Sequence, residues 1–173
     1  MKKMSVQKLM QLSLLTAIAL IIFVVELRIP NLLPIPGVKL GLANIITVYA
    51  IYRYSKSEVL LILTARIILG SIFSGNMMSI AYSLAGGFCC FLGMILLKKM
   101  IAEDYLWLAS IGGAIFHNVG QIIIAIMFTG TMSILVYFPI LFVTGSIAGF
   151  FTGFCALMIV KKLPMKNNYA KNV

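Results

Sequence analysis

A chain of 173 residues that is 62% hydrophobic, only 10% charged and has a mean hydropathy of +1.09 lacks the polar groups to coat a soluble surface, since soluble domains carry roughly 25% charged residues. Lipid is its expected solvent, and at roughly 20 apolar residues per span the length holds about six helices in one membrane domain over 1–173, with no soluble domain beside it. The net charge of +10 does not point to nucleic acid, because the basic residues sit at segment ends without interleaved aromatics and read as orientation signals that also attract anionic lipid.

Lys2, Lys3 and Lys8 precede an apolar run from Leu9 to Val25, the pattern of a secretory signal. No small-residue cleavage site follows, and the run ends in Glu26-Leu27-Arg28-Ile29-Pro30, so it reads as a first permanent helix over 9–25. Pro30, Pro34, Pro36 and Gly37 then break any helix across Glu26 to Val38, the one long connection outside the cytoplasm. Further helices are expected over 39–54, 58–73, 77–97, 106–128 and 133–160. Ser74-Gly75-Asn76 and Thr129-Gly130-Thr131 supply short outer turns, and a polar cytoplasmic tail over 161–173 closes the chain.

Charge tests this topology. With the N-terminus inside, the cytoplasmic segments collect Lys2, Lys3, Lys8, Arg53, Lys56, Lys98, Lys99, Lys161, Lys162, Lys166 and Lys171, eleven of the fourteen basic residues. Only Arg28 and Lys39 fall outside, and Arg66 lies within a helix. The positive-inside rule therefore places both termini in the cytoplasm.

Small residues repeat every four positions in two helices: Gly145, Gly149 and Gly153 in the sixth, and Ala81, Ala85, Cys89 and Gly93 in the fourth. That spacing puts them on one face, where two backbones can approach closely in lipid. Tight internal packing is the expected use, and a surface for a partner protein is the alternative. Cys89, Cys90 and Cys155 lie in apolar segments without metal-ligand spacing and read as small packing residues.

Polar groups within the spans carry the functional information. Arg66 falls near the bilayer midplane, where a charge costs at least about 2.5–3.5 kcal/mol. No acidic residue lies inside a span to offset it, and Glu26 is the nearest candidate. Arg66 either pairs with Glu26 and backbone carbonyls or awaits an anionic ligand. On the fifth helix His117 and Gln121 are four apart and share a face, with Asn118 beside them. One imidazole without carboxylate or thiolate partners completes no metal sphere, so neither a metal nor a cofactor is expected. The cluster forms interhelical hydrogen bonds or lines a pocket facing Arg66. Third, Pro36-Gly37-Val38-Lys39-Leu40-Gly41-Leu42-Ala43-Asn44 leads glycine-rich backbone into a helix N-terminus, with Lys39 at its start and Asn44 a turn deeper, a place that suits an anion.

The run from Leu27 to Tyr52, with Gly37-Val38-Lys39-Leu40-Gly41-Leu42-Ala43-Asn44 its most specific part, closely resembles the Gx transporter family, also labelled heptaprenyl diphosphate synthase component I. Leu63-Thr64-Ala65-Arg66-Ile67-Ile68-Leu69-Gly70-Ser71 and Ala81-Tyr82-Ser83-Leu84-Ala85-Gly86-Gly87 look like its other landmarks, and the match runs over essentially the whole chain. The family in turn is similar to the S-components of energy-coupling factor transporters, six-helix vitamin-capture proteins of the bacterial inner membrane. The resemblance implies an S-component-like bundle with a pocket near the outer leaflet, gated by the loop holding Pro30, Pro34, Pro36 and Gly37. It also implies docking to an energy-coupling module through an alanine pair in the first helix, where this chain has Ser13 with Ala17.

The synthase label meets a chemical obstacle. Prenyl diphosphate synthases hold magnesium and diphosphate with several aspartates, and the one aspartate here is Asp104, in a cytoplasmic loop. The chain is therefore expected to be no enzyme by itself. Two roles follow: binding or transport of a small anionic or isoprenoid- or cofactor-related molecule through Lys39, Asn44, Arg66, His117, Asn118 and Gln121, or service as a membrane accessory to a soluble prenyl synthase or a quinone- or flavin-linked redox partner.

Overall fold

Local rules set where each helix begins and ends. In the computed structural model, which describes residues 5–28, 41–75 and 78–163 (the Ser79 side chain excepted), α1 covers Val6–Glu26, with Ser5 as N-cap accepting from the Lys8 amide at 3.3 Å. The second helix, α2, is Asn44–Arg53, and α3 is Lys56–Ser74. A capping box opens α3, in which the Ser55 amide donates to Glu58 Oε2 at 3.0 Å. Gly75, at φ +64°, closes it in the left-handed conformation that favours glycine. Helices α4 (Met78–Met100), α5 (Leu106–Thr129) and α6 (Phe138–Lys162) follow, with short 3₁₀ pieces at Glu103–Tyr105 and Met132–Tyr137.

The expected all-helical membrane bundle of six helices is what forms, with two differences. The sixth α-helix begins at Phe138 rather than 133, because Pro139 lacks an amide hydrogen and is accommodated only in a first turn. The second begins at Asn44 rather than 39, because Gly41 takes φ +69°, off any helical path. At ten residues α2 is about 15 Å long, half a hydrocarbon core. Among the described residues five helices are long and apolar enough to cross a membrane, and α2 is not one of them. The protein is a membrane protein, and its outward faces are apolar, with Ile21, Ile72 and Ile147 all exposed.

Packing closes a ring: α1 lies on α3, α3 on α4, α4 on α5, α5 on α6, α6 on α2, and α2 returns to α1. α2 also reaches α3 and α4, so it plugs the ring from within. Ile46 through Tyr52 are all buried there. Around that plug sits the core, whose fully buried side chains include Leu12, Val59, Ile62, Met94, Leu106 and Val160.

The same end carries the ion pairs. Lys8 pairs with Glu58, Lys161 with Asp104 at 3.2 Å, and Arg53 Nη2 with Glu103 at 2.8 Å while also donating to the Val160 carbonyl at 2.9 Å. Lys98 Nζ donates to the Ile51 carbonyl at 2.8 Å. Both described chain ends lie at this basic end. The glycine stripe of α6 is covered by α5: a Cβ at Gly149 would meet Ala114 Cβ and Ile111 Cα at 2.9 Å, and one at Gly153 would meet Trp107 Cα at 2.7 Å. It is a packing face. Ser13 and Ala17 are exposed on α1.

Candidate ligand-binding site

Because α2 fills only the basic half of the ring, the described residues leave the other half hollow. A cavity of about 370 Å³ lies there, within the size range of small-molecule sites. Gly41, Ala43 and Asn44 reach it from the start of α2, Phe23 and Glu26 from α1, and Arg66, Ile67, Gly70 and Ser71 from α3. Tyr82 and Ser83 come from α4, Ala114, His117, Asn118 and Gln121 from α5, and Leu141, Thr144 and Gly145 from α6.

Of the residues singled out in the sequence, Asn44, Arg66, His117, Asn118 and Gln121 thus line one space, although they come from three helices. Lys39 lies outside the described residues, as do Pro30, Pro34, Pro36 and Gly37. Ser13 and Ala17 do not line the cavity.

Arg66 is the residue whose environment is least balanced. It is 8% exposed and faces the cavity. Among the described residues no carboxylate comes within 4.0 Å of it, and its Nε is buried without a hydrogen-bond partner. Three of the four acidic residues are engaged at the basic end. The fourth, Glu26, is 6% exposed and accepts a hydrogen bond from the Gly41 amide instead. The direct Arg66–Glu26 pair that the sequence allows is therefore not formed.

The cluster on α5 divides. Asn118 Nδ2 donates to the Leu141 carbonyl at 2.6 Å, stitching α5 to α6, so half of this amide is structural. Gly145 makes the room, since a Cβ there would lie 2.2 Å from Nδ2. His117 lies against Gly86, where a Cβ would come within 2.8 Å of its ring. Gln121, one turn on, makes no side-chain hydrogen bond to a described residue and faces the cavity. Neighbouring hydroxyls are held by their own helices, Ser71 on the Ile67 carbonyl at 2.8 Å and Thr144 on that of Ile140 at 2.9 Å. They keep lone pairs for a guest.

The model of one protein family matches residues 15–159, and its description is heptaprenyl diphosphate synthase component I. The chain belongs to that family. Neither the curated proteins nor the solved structures gave a match. In this member of the heptaprenyl diphosphate synthase component I family, the matched span takes in every described residue that lines the cavity.

Sequence reasoning placed Glu26 only as a partner for Arg66 and passed over Phe23, Tyr82, Ser83 and Thr144 as cavity walls. Tyr82 and Ser83 do lie in the Ala81–Gly87 run, whose small residues let α4 approach His117. That run was their signal. Phe23 and Thr144 carry none, because apolar and hydroxyl side chains are common on lipid-facing and buried surfaces alike.

Proposed function

We propose that the protein is an S-component-like ligand-capture unit, multi-pass in the bacterial cytoplasmic membrane with its basic end inside, for a small anionic or isoprenoid- or cofactor-related molecule. Arg66 supplies the charge that fixes an acidic group. His117, Asn44, Gln121 and the free oxygen of Asn118 orient the guest. Ser13 and Ala17, exposed on α1, are where an energy-coupling module docks. The role is binding, not catalysis: Asp104 is at the basic end paired with Lys161, and Glu26 is the cavity's one carboxylate among the described residues.

The observation that carries this reading is Arg66, buried beside a cavity with no carboxylate within 4.0 Å among the described residues. A charge at that depth is unfavourable by at least about 2.5–3.5 kcal/mol. A bound anion offsets it.

Native mass spectrometry of protein extracted gently from membranes tests the reading. Wild-type protein retains an acid-bearing small molecule, and Arg66→Gln retains it about 10- to 100-fold more weakly at equal folded yield, the loss expected for a charge-assisted hydrogen bond of about 1.5–3 kcal/mol. Equal retention by the two contradicts it.

The family description favours a second reading, a non-catalytic membrane component of a heptaprenyl diphosphate synthase. That role predicts co-purification with a soluble synthase subunit, unaffected by Arg66→Gln.

A further inference from the structure

The charges of the cavity narrow what it accepts. Among the described lining residues two carry a formal charge, Arg66 and Glu26, and these sum to zero. Both are more than nine-tenths buried. They sit at different depths, Arg66 midway along α3 and Glu26 on the last residue of α1. Neither is neutralised by the other through a contact within 4.0 Å. Gly41 donates to one oxygen of Glu26, and no described residue donates to the other.

In a low-dielectric space, separated opposite charges favour a guest with a matching dipole and disfavour one with large net charge. A prenyl diphosphate brings two or more negative charges to the one arginine and one carboxylate among the described lining residues. Among the described residues no three metal-ligating side chains gather to hold a divalent ion that would offset the excess. Depth argues the same way. Arg66 lies about 15 Å along α3, near mid-membrane, whereas the headgroup of a bilayer-resident lipid stays at the interface.

We infer that the cavity takes a water-soluble zwitterion, its acidic group on Arg66, its ammonium or N–H group on Glu26, and its apolar body against Phe23, Tyr82 and Leu141. This rests on the capture reading and specifies the guest. Prenyl diphosphates are then disfavoured by the described lining of this site, whatever the family's synthase association.

Thermal unfolding in nanodiscs of a neutral phospholipid tests the inference, with aminovalerate, aminocaproate and aminocaprylate as probes, the matched carboxylates without the amino group, and geranyl diphosphate. At least one amino acid stabilises the wild-type protein at concentrations about tenfold below those its des-amino partner and geranyl diphosphate require. Glu26→Gln, which keeps an oxygen for the Gly41 amide, erases that tenfold preference, and Arg66→Gln removes the stabilisation by both acids. Stabilisation by geranyl diphosphate at equal or lower concentration, lost in Arg66→Gln, overturns the zwitterion and leaves the capture reading standing. An amino-acid preference that survives Glu26→Gln overturns the assignment of that carboxylate. No stabilisation by any probe counts against both readings.

Discussion

The two ends of the bundle are built from the same apolar alphabet and come out opposite. At the basic end α2 sits inside the ring, every residue from Ile46 to Tyr52 is buried, and three acidic side chains are matched by basic ones. At the far end no described residue fills the ring, and an arginine and a glutamate face the same hollow without an ion pair between them. One local event separates the halves: positive φ at Gly41 delays α2 to Asn44, so the plug stops halfway. The difference teaches that stability and function are segregated along the membrane normal. In lipid, where packing rather than burial from water drives helix association, an unfilled half is a forgone stabilisation that needs a reason.

That segregation can be broken by substitution. The largest effect is expected from Met94→Ala in the packed half, where Met94 is fully buried; opening a void there should cost about 2–5 kcal/mol of unfolding free energy. Leu141→Ala, at the cavity wall, should cost roughly 1 kcal/mol or less, because truncation enlarges a space that already exists. Reversible unfolding in mixed micelles gives both numbers, and equal costs would mean that the far half is as tightly packed as the near one.

A smaller effect sharpens the boundary. Gly145→Ala should displace Asn118 from the Leu141 carbonyl and cost about 1 kcal/mol, roughly one net hydrogen bond. If Asn118 is wholly structural, ligand retention should be unchanged; a joint loss of retention marks its free oxygen as part of the site.

Much of this was legible in the sequence. Five of the six described helices followed from apolar runs of bilayer length, whereas the expected second span proved a ten-residue helix, and Arg66, His117, Asn118 and Gln121 stood out because polar groups are costly in lipid. The ends of α2 and α6 were misjudged by five residues each, since hydropathy does not register the backbone angle of Gly41 or the missing amide of Pro139 until the chain is folded. Glu26 was harder. Which partner a terminal carboxylate chooses depends on how the helix ends meet, and it took the Gly41 amide in place of the arginine. The four-residue repeat of glycine in α6 marked one helix face, but that α5 covers it required coordinates.

The central claim is that Arg66 is held without a contact ion pair among the described residues for the sake of a guest. Its most direct test needs no ligand: the unfolding free energy of guest-free Arg66→Gln against wild type, in the same nanodiscs. Removal of a charge that lacks such a pair should stabilise the protein, by about 1–3 kcal/mol, because the insertion cost of the arginine disappears with it. Destabilisation of similar size would show that Arg66 holds the bundle together, and the cavity would lose its anchor.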